Sequence, residues 1–164
     1  MPTPISHAAV GYAIGSWSPH EVPPSARRVC LLAAACAALP DIDVIGFAPH
    51  RAITHSILFA ALAALTATLF LFPGIQSQTR RQIGIVLFVA ALSHSCLDAL
   101  SKYSWGIEFF APFSDRRFRF PWTPLGRPDG DLIGQLVQEV LVIILPALIL
   151  AWRGLRRRRR VEPA

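Results

Sequence analysis

A chain of 164 residues is long enough for one domain, and 53% hydrophobic against 16% charged residues is too apolar for an ordinary soluble protein. The apolar residues come in long blocks rather than amphipathic stripes, which points to an integral membrane protein. A formal charge of +6 does not imply nucleic-acid binding, because the basic residues gather at a few loops and in a run from Arg156 to Arg160 instead of covering one face. Cys30, Cys36 and Cys96 lie in apolar blocks without C-x-x-C spacing and read as buried thiols. Met1 to Gly15 lacks the basic start of a secretory signal and carries His7, so the first segments are expected to be retained.

Ile5 to Gly15 reads as a short helix, with Gly11 and Gly15 spaced to let another helix come close. Pro19, Pro23 and Pro24 mark a loop around His20, which reads as solvated. Val29 to Leu39 is apolar but, at about 1.5 Å per residue, too short to cross a bilayer core of about 30 Å. Pro40 ends it, and Asp41 and Asp43 follow in the turn. A helix is expected to open around His50 to Ser56 and run to Phe72, where Pro73 and Gly74 close it. A loop from Ile75 to Gln82 carries Arg80 and Arg81, and Ile83 to Leu100 returns across the membrane. Lys102 to Gly130 is polar, aromatic and proline-bearing, too irregular for lipid unless it covers a cavity. Leu132 to Trp152 forms the last helix, leading into the arginine run. The expected fold is all-α, a multi-pass transmembrane bundle of about three long spanning helices and two short N-terminal ones. Residues 1–154 form the membrane-embedded domain, and residues 155–164 a basic cytoplasmic tail.

If the helices alternate, Arg27, Arg28, Arg80, Arg81, Arg153 and Arg156 to Arg160 share one side and hold most of the sixteen lysines and arginines. The positive-inside rule assigns that side to the cytoplasm and the polar segments to the periplasm or exterior.

His94 and Asp98 stand one helical turn apart near the end of an apolar run, so both side chains leave the same face and can meet one cation. Ionisable groups in such a run are costly and mark function by default, although a hydrogen-bonded pair joining helices is the plainer alternative. Counted by helix rise, His55 lies about 26 Å from the Phe72 end, and Asp98 about 27 Å from the Arg80 end. They come level near one membrane face. Asp41 and Asp43 arrive on that side, with Asp41 favoured as ligand and Asp43 open between ligand, cap and catalytic carboxylate. His7 is a further candidate ligand. His50 is open between ligand and a residue behind the ligands, and Arg51 is placed to steady an anionic substrate. Glu139 is a lone carboxylate about 12 Å into its helix, expected to serve as general base, supporting residue or additional ligand, or else to pack helices. Arg116 and Arg117, near Asp115 and Arg119, form either a phosphate-binding rim or an interfacial loop with Phe120 and Trp122. Histidine and carboxylate ligands without cysteine suit zinc, one or two ions, with manganese or iron as alternatives. An ion held that way lowers the pKa of bound water to about 7, which is hydrolytic chemistry.

Leu39-Pro40-Asp41-x-Asp43, His50-Arg51-x-x-Thr54-His55-Ser56 and Ser93-His94-x-x-Leu97-Asp98, with Gly106 and Pro112 beyond, resemble the YdjM-like family of membrane-bound metal-dependent hydrolases over roughly residues 5–120. A more distant similarity joins His7, Asp41 with His55, and His94 with Asp98 to zinc-dependent bacterial phospholipase C and related single-strand nucleases. Their later His-x-x-x-Glu is not matched, since the last helix offers Gln135-x-x-x-Glu139. The resemblance implies a one- or two-ion site that cuts a phosphoester, with a lipid or other amphiphile as substrate and membrane lipids as surroundings. The rival reading is a transporter or ion relay through His94, Asp98 and Glu139. A third makes the arginine run the working part, docking a cytoplasmic protein or nucleic acid.

Overall fold

The computed structural model describes residues 2–18, 26–45, 51–102, 104–126 and 131–161. His20, His50, Arg127 and Asp129 therefore lie outside the described residues. Within them the chain is helical, without a strand beyond two isolated bridges.

Helix α1 (Pro4–Ser16) starts at Thr3, whose hydroxyl caps Ser6 N, with proline at the first helical position, where its missing N–H costs nothing. It runs against α2 (Ala26–Ala38) at very short range. A Cβ on Gly11 would stand 2.6 Å from Ala37 Cβ and would also strike the Ala33 carbonyl, and one on Gly15 would stand 2.7 Å from Cys30 Cα. The spacing of those glycines thus serves the close approach expected of it. After α2 the chain tightens into a 3₁₀ turn, Leu39–Ile45, which carries Asp41 and Asp43.

The next helix begins later than its apolar content suggests. His55 sits in a separate 3₁₀ turn, Ile53–His55, and Ser56, extended and accepting from Phe59 N at 3.1 Å, caps α3 (Ile57–Leu71). The same hydroxyl donates back to Ile53 O at 2.7 Å, so the serine is bonded on both sides of the helix start and stops the helix from growing backwards. Conversely, α4 (Ser77–Ala99) starts earlier than expected, so Arg80 and Arg81 lie within its first two turns instead of in a loop. The last rod comprises α5 (Leu132–Glu139), a wide-turned stretch Val140–Ile144, and α6 (Leu145–Val161). Asp131 caps it, accepting from Ile133 N and Gly134 N. The widened turn lies just before Pro146, whose ring would otherwise meet the carbonyl four residues back.

Among the described residues two helices, Ser77–Ala99 and Leu132–Arg158, are long and apolar enough to cross a membrane. The third expected span is shorter: the 15 residues of α3 rise only about 22 Å. The core packs Val29 and Ala33 of α2, Ala60 and Ala64 of α3, and Ile83, Leu87 and Ala90 of α4. Leu62, Leu65 and Leu69 of α3, Ile85 and Val89 of α4, and Leu148 and Ile149 of the last helix are exposed, apolar surface that suits lipid.

The 104–126 segment folds into a cap. Ile107 and Phe118 exchange both backbone hydrogen bonds at 2.9 Å, Glu108 N donates to Arg51 O at 3.3 Å, and Ile57 N to Phe109 O at 2.9 Å. The cap is therefore stitched to the turn that bears His55. At the opposite end Arg28 lies over the Phe72 ring, 5.3 Å from its centroid, and Arg158 reaches the last carbonyls of α1. Residues 155–161, expected as a tail, continue α6 without a break.

Candidate metal centre

Three stretches with different reasons to exist deliver the site. The 3₁₀ turn after α2 brings Asp41 and Asp43, the turn before α3 brings Arg51, Thr54 and His55, and the last turns of α4 bring His94 and Asp98. Helix α1 adds His7 from the other side. His7, His55, His94 and Asp98 are fully buried, while the Asp41 side chain keeps 12% of its surface open.

The imidazoles are held so that their Nε2 atoms converge. His94 Nδ1 lies 2.8 Å from the Ala37 carbonyl, which can only accept, so Nδ1 carries the proton and Nε2 offers a lone pair. Ala37 lies in the last turn of α2, where carbonyls run short of helical donors, and Pro40 three residues on has no N–H to give. His55 Nδ1 sits 3.0 Å from Thr54 Oγ1 and 3.3 Å from Asp43 Oδ2. Thr54 spends its own proton on Asp43 Oδ2 at 2.8 Å, so Nδ1 of His55 is again the donor. The two Nε2 atoms then face each other at 3.0 Å, and with both rings neutral two lone pairs meet unless a proton or a metal ion lies between them. Such an arrangement calls for something positive between them.

Carboxylates complete the cage. Asp98 Oδ1 is 3.5 Å from His7 Nε2, Asp98 Oδ2 is 3.7 Å from His55 Nε2, and Asp41 Oδ1 is 3.5 Å from His94 Nε2. These contacts exceed hydrogen-bond length. Both ring nitrogens of His7, both oxygens of Asp98, Asp41 Oδ2 and Arg51 Nε are buried without a hydrogen-bond partner. Ligands about 2.0–2.1 Å from a zinc ion stand about 3.3 Å apart in a tetrahedron, close to the spacings seen. Two candidate groups emerge, His7 with Asp41 and His94, and His55 with His94 and Asp98. They share His94, whose one free nitrogen can serve a single ion.

Charge leads to the same conclusion. Counted by formal charge, Asp41, Asp43 and Asp98 against Arg51 leave an excess of two negative charges among the described residues of the cluster. One divalent cation balances them. Burial pushes the Asp41 carboxyl above its usual range; His7 opposes the rise and Asp98 adds to it.

The structure assembles His7, Asp41, His55, His94, Asp98 and Arg51, with the Arg51 Nε 3.6 Å from Asp98 Oδ2. It moves other expected participants elsewhere. Asp43 stands behind His55 as its orienting carboxylate, accepting also from Arg51 N at 3.0 Å. Glu139 is bound to Thr3 and Ser6 at the start of α1. Arg116 and Arg117 lie exposed on the cap, Arg116 over the Phe118 ring and Arg117 paired with Glu108 at 2.8 Å. Thr54, Ser95 and the Ala37 carbonyl are participants that residue type alone did not single out. Ser95 Oγ donates to His55 O at 2.7 Å and ties that turn to α4. Thr54 is signalled by its place in the motif before His55 and Ser95 by adjacency to His94.

A family model described as "YdjM inner membrane protein" matches residues 1–160. The chain is also 33% identical over 180 residues to the inner membrane protein YbcI of Escherichia coli (strain K12), an alignment covering 97% of this chain and 100% of that protein. No solved structure matches it.

Proposed function

The chain belongs to the YdjM family of inner membrane proteins, and we propose that it works there as a multi-pass, metal-dependent hydrolase with its metal centre at the non-cytoplasmic end. The observation that carries this reading is the pair of inward-facing Nε2 atoms of His55 and His94, 3.0 Å apart, each with its other nitrogen committed as a donor. A donor set of imidazoles and carboxylates without thiolate favours zinc, with manganese or iron next. When bound, such an ion activates water and polarises the bond to be cut.

The protein's own residues do the rest. Asp43 and Thr54 fix the tautomer of His55, and Ala37 O fixes that of His94. Arg51 is buried beside Asp98, where its guanidinium suits a phosphoryl oxygen. Asp41, the partly open carboxylate, keeps Oδ2 without a hydrogen-bond partner and is the group to take a proton from water. The substrate class, a phosphoester on a lipid or other amphiphile, follows the resemblance to zinc-dependent phospholipase C. It is supported by a cap that exposes Trp105, Phe113 and Trp122, residue types that settle at the lipid headgroup level. The orientation follows from exposed arginines at the far end, Arg27, Arg28, Arg81, Arg153, Arg156 and Arg157. A relay across the membrane is disfavoured, because Ile83, Leu87, Ala60 and Ala64, between the site and that end, belong to a buried apolar cluster.

The test is hydrolysis of phosphoester lipids by the purified protein reconstituted in vesicles. Activity that a chelator abolishes and zinc restores is the expected result. Hydrolysis indifferent to the chelator, or none with any phosphoester lipid, would refute the proposal.

A further inference from the structure

We infer that Glu139 and Arg158 hold α1 by its two ends, and that Glu139 thereby sets where His7 stands in the metal centre. The inference rests on that centre's holding an ion.

His7 is the one site residue that α1 supplies; the other candidate ligands ride on the two 3₁₀ turns and α4. Sliding α1 along the last helix would therefore move His7 and leave its partners in place. The apolar contact between these helices is poorly suited to prevent that. It centres on Ala13 against Ala147 and Ala151, with Gly154 against Ser16, small residues that allow close approach but interlock little, and Ala9, Val10 and Tyr12 pack beside them.

The close packing on α2 fixes one side of α1, and polar grips fix its register against the last helix. Glu139, only 4% exposed, accepts three hydrogen bonds at Oε2, from Thr3 N at 2.8 Å, Thr3 Oγ1 at 2.7 Å and Ser6 Oγ at 2.7 Å. Gln135 Nε2 donates to Oε1 at 2.7 Å and holds the carboxylate from its own helix. Thr3 O in turn accepts from His7 N at 3.2 Å, and Ser6 directly precedes His7. Only Thr3 stands between the Glu139 carboxylate and the backbone of His7. At the other end Arg158 Nε donates to Ser16 O at 2.9 Å, and its Nη2 to Gly15 O and Ser18 O at 3.0 Å and to Ser18 Oγ. A carboxylate thus meets the positive end of the α1 dipole and a guanidinium its negative end, each with charge-assisted bonds away from water. Glu139 is on this account a positioning residue, touching neither ion nor substrate.

Cobalt(II) replaces zinc in the experiment, because its visible spectrum reports the ligand set. Full-length protein in detergent is compared with His7→Ala, Glu139→Ala, Glu139→Gln and the His7→Ala/Glu139→Ala double variant. Glu139→Ala should weaken Co²⁺ binding about 10–100-fold, the usual effect of losing a residue that supports a ligand, and should give the spectrum of His7→Ala. The double variant should bind no more weakly than His7→Ala alone. Glu139→Gln, which keeps one acceptor without the charge, should fall between, and it carries the comparison if Glu139→Ala does not fold. A Glu139 variant with the affinity and spectrum of wild type, or a double variant whose loss multiplies those of the two singles, overturns this inference alone. Absence of Co²⁺ binding by wild type overturns both it and the metal-dependent function.

Discussion

Asp43 should prove a residue of the metal centre that never touches metal. Its Oδ2 receives Arg51 N at 3.0 Å and Thr54 Oγ1 at 2.8 Å, and it lies 3.3 Å from His55 Nδ1. Asp43→Ala strands these donors in a buried site, at about 1–3 kcal/mol for each left unpaired. It also frees the His55 ring to turn its Nε2 away from His94. The expected loss in zinc affinity is about 10–100-fold, equivalent to about 1.4–2.7 kcal/mol. Asp43→Asn, whose amide oxygen can still receive Arg51 N and Thr54 Oγ1 but has no charge to steady the imidazole, should lose about tenfold and remain folded. Competition with a chromophoric chelator measures both, with far-ultraviolet circular dichroism as the folding control. Wild-type affinity in both variants would refute the role assigned to Asp43. So would an Asp43→Asn variant that loses metal altogether while staying helical, since that is what removal of a direct ligand looks like.

Arg51→Gln removes the one described cation beside Asp98, so metal should be retained at wild-type affinity or better while hydrolysis of phosphoesters falls at least tenfold; parallel losses of metal and activity would contradict this. Gly11→Val should force α1 off α2, because even the first side-chain carbon meets Ala37 Cβ at 2.6 Å, and the purified variant should unfold at lower temperature and carry less metal; unchanged melting and loading would contradict the close packing. For topology, in a protein with Cys30, Cys36 and Cys96 replaced by alanine, a cysteine at Ser114 should react with a periplasm-restricted thiol reagent and one at Ser77 should not. The reverse pattern would invert the orientation.

Much of the site was readable from side-chain chemistry. His7, Asp41, His55, His94 and Asp98 are ionisable groups in apolar surroundings, and such groups must find one another or a cation. Their helical context was less readable. The apolar run after His55 has no internal mark of where the helix starts, and it is the Ser56 cap that puts His55 in a separate turn and shortens α3. The level of His55 and His94, inferred from helix rise, holds even though His55 is on no helix, because Ser95 Oγ fastens that turn to α4. Asp41 and Asp43 could not be told apart by spacing, since a 3₁₀ turn sends alternate residues to different neighbours. For Glu139 the helix-packing alternative is the one the structure displays, and its partners, like those of Arg158, could not be named from sequence: each is matched to an end of α1, more than a hundred residues away in the chain, and no local pattern announces that pairing.

The central claim is that His55 and His94 share a divalent ion with Asp98 at one end of an inner membrane protein. Metal analysis of the detergent-purified protein, with His94→Ala and Asp98→Ala beside it, tests this most directly. The account predicts one equivalent of a transition metal, zinc foremost, in wild type and its loss in both variants. Wild type without stoichiometric metal, or variants that hold it as wild type does, would contradict it.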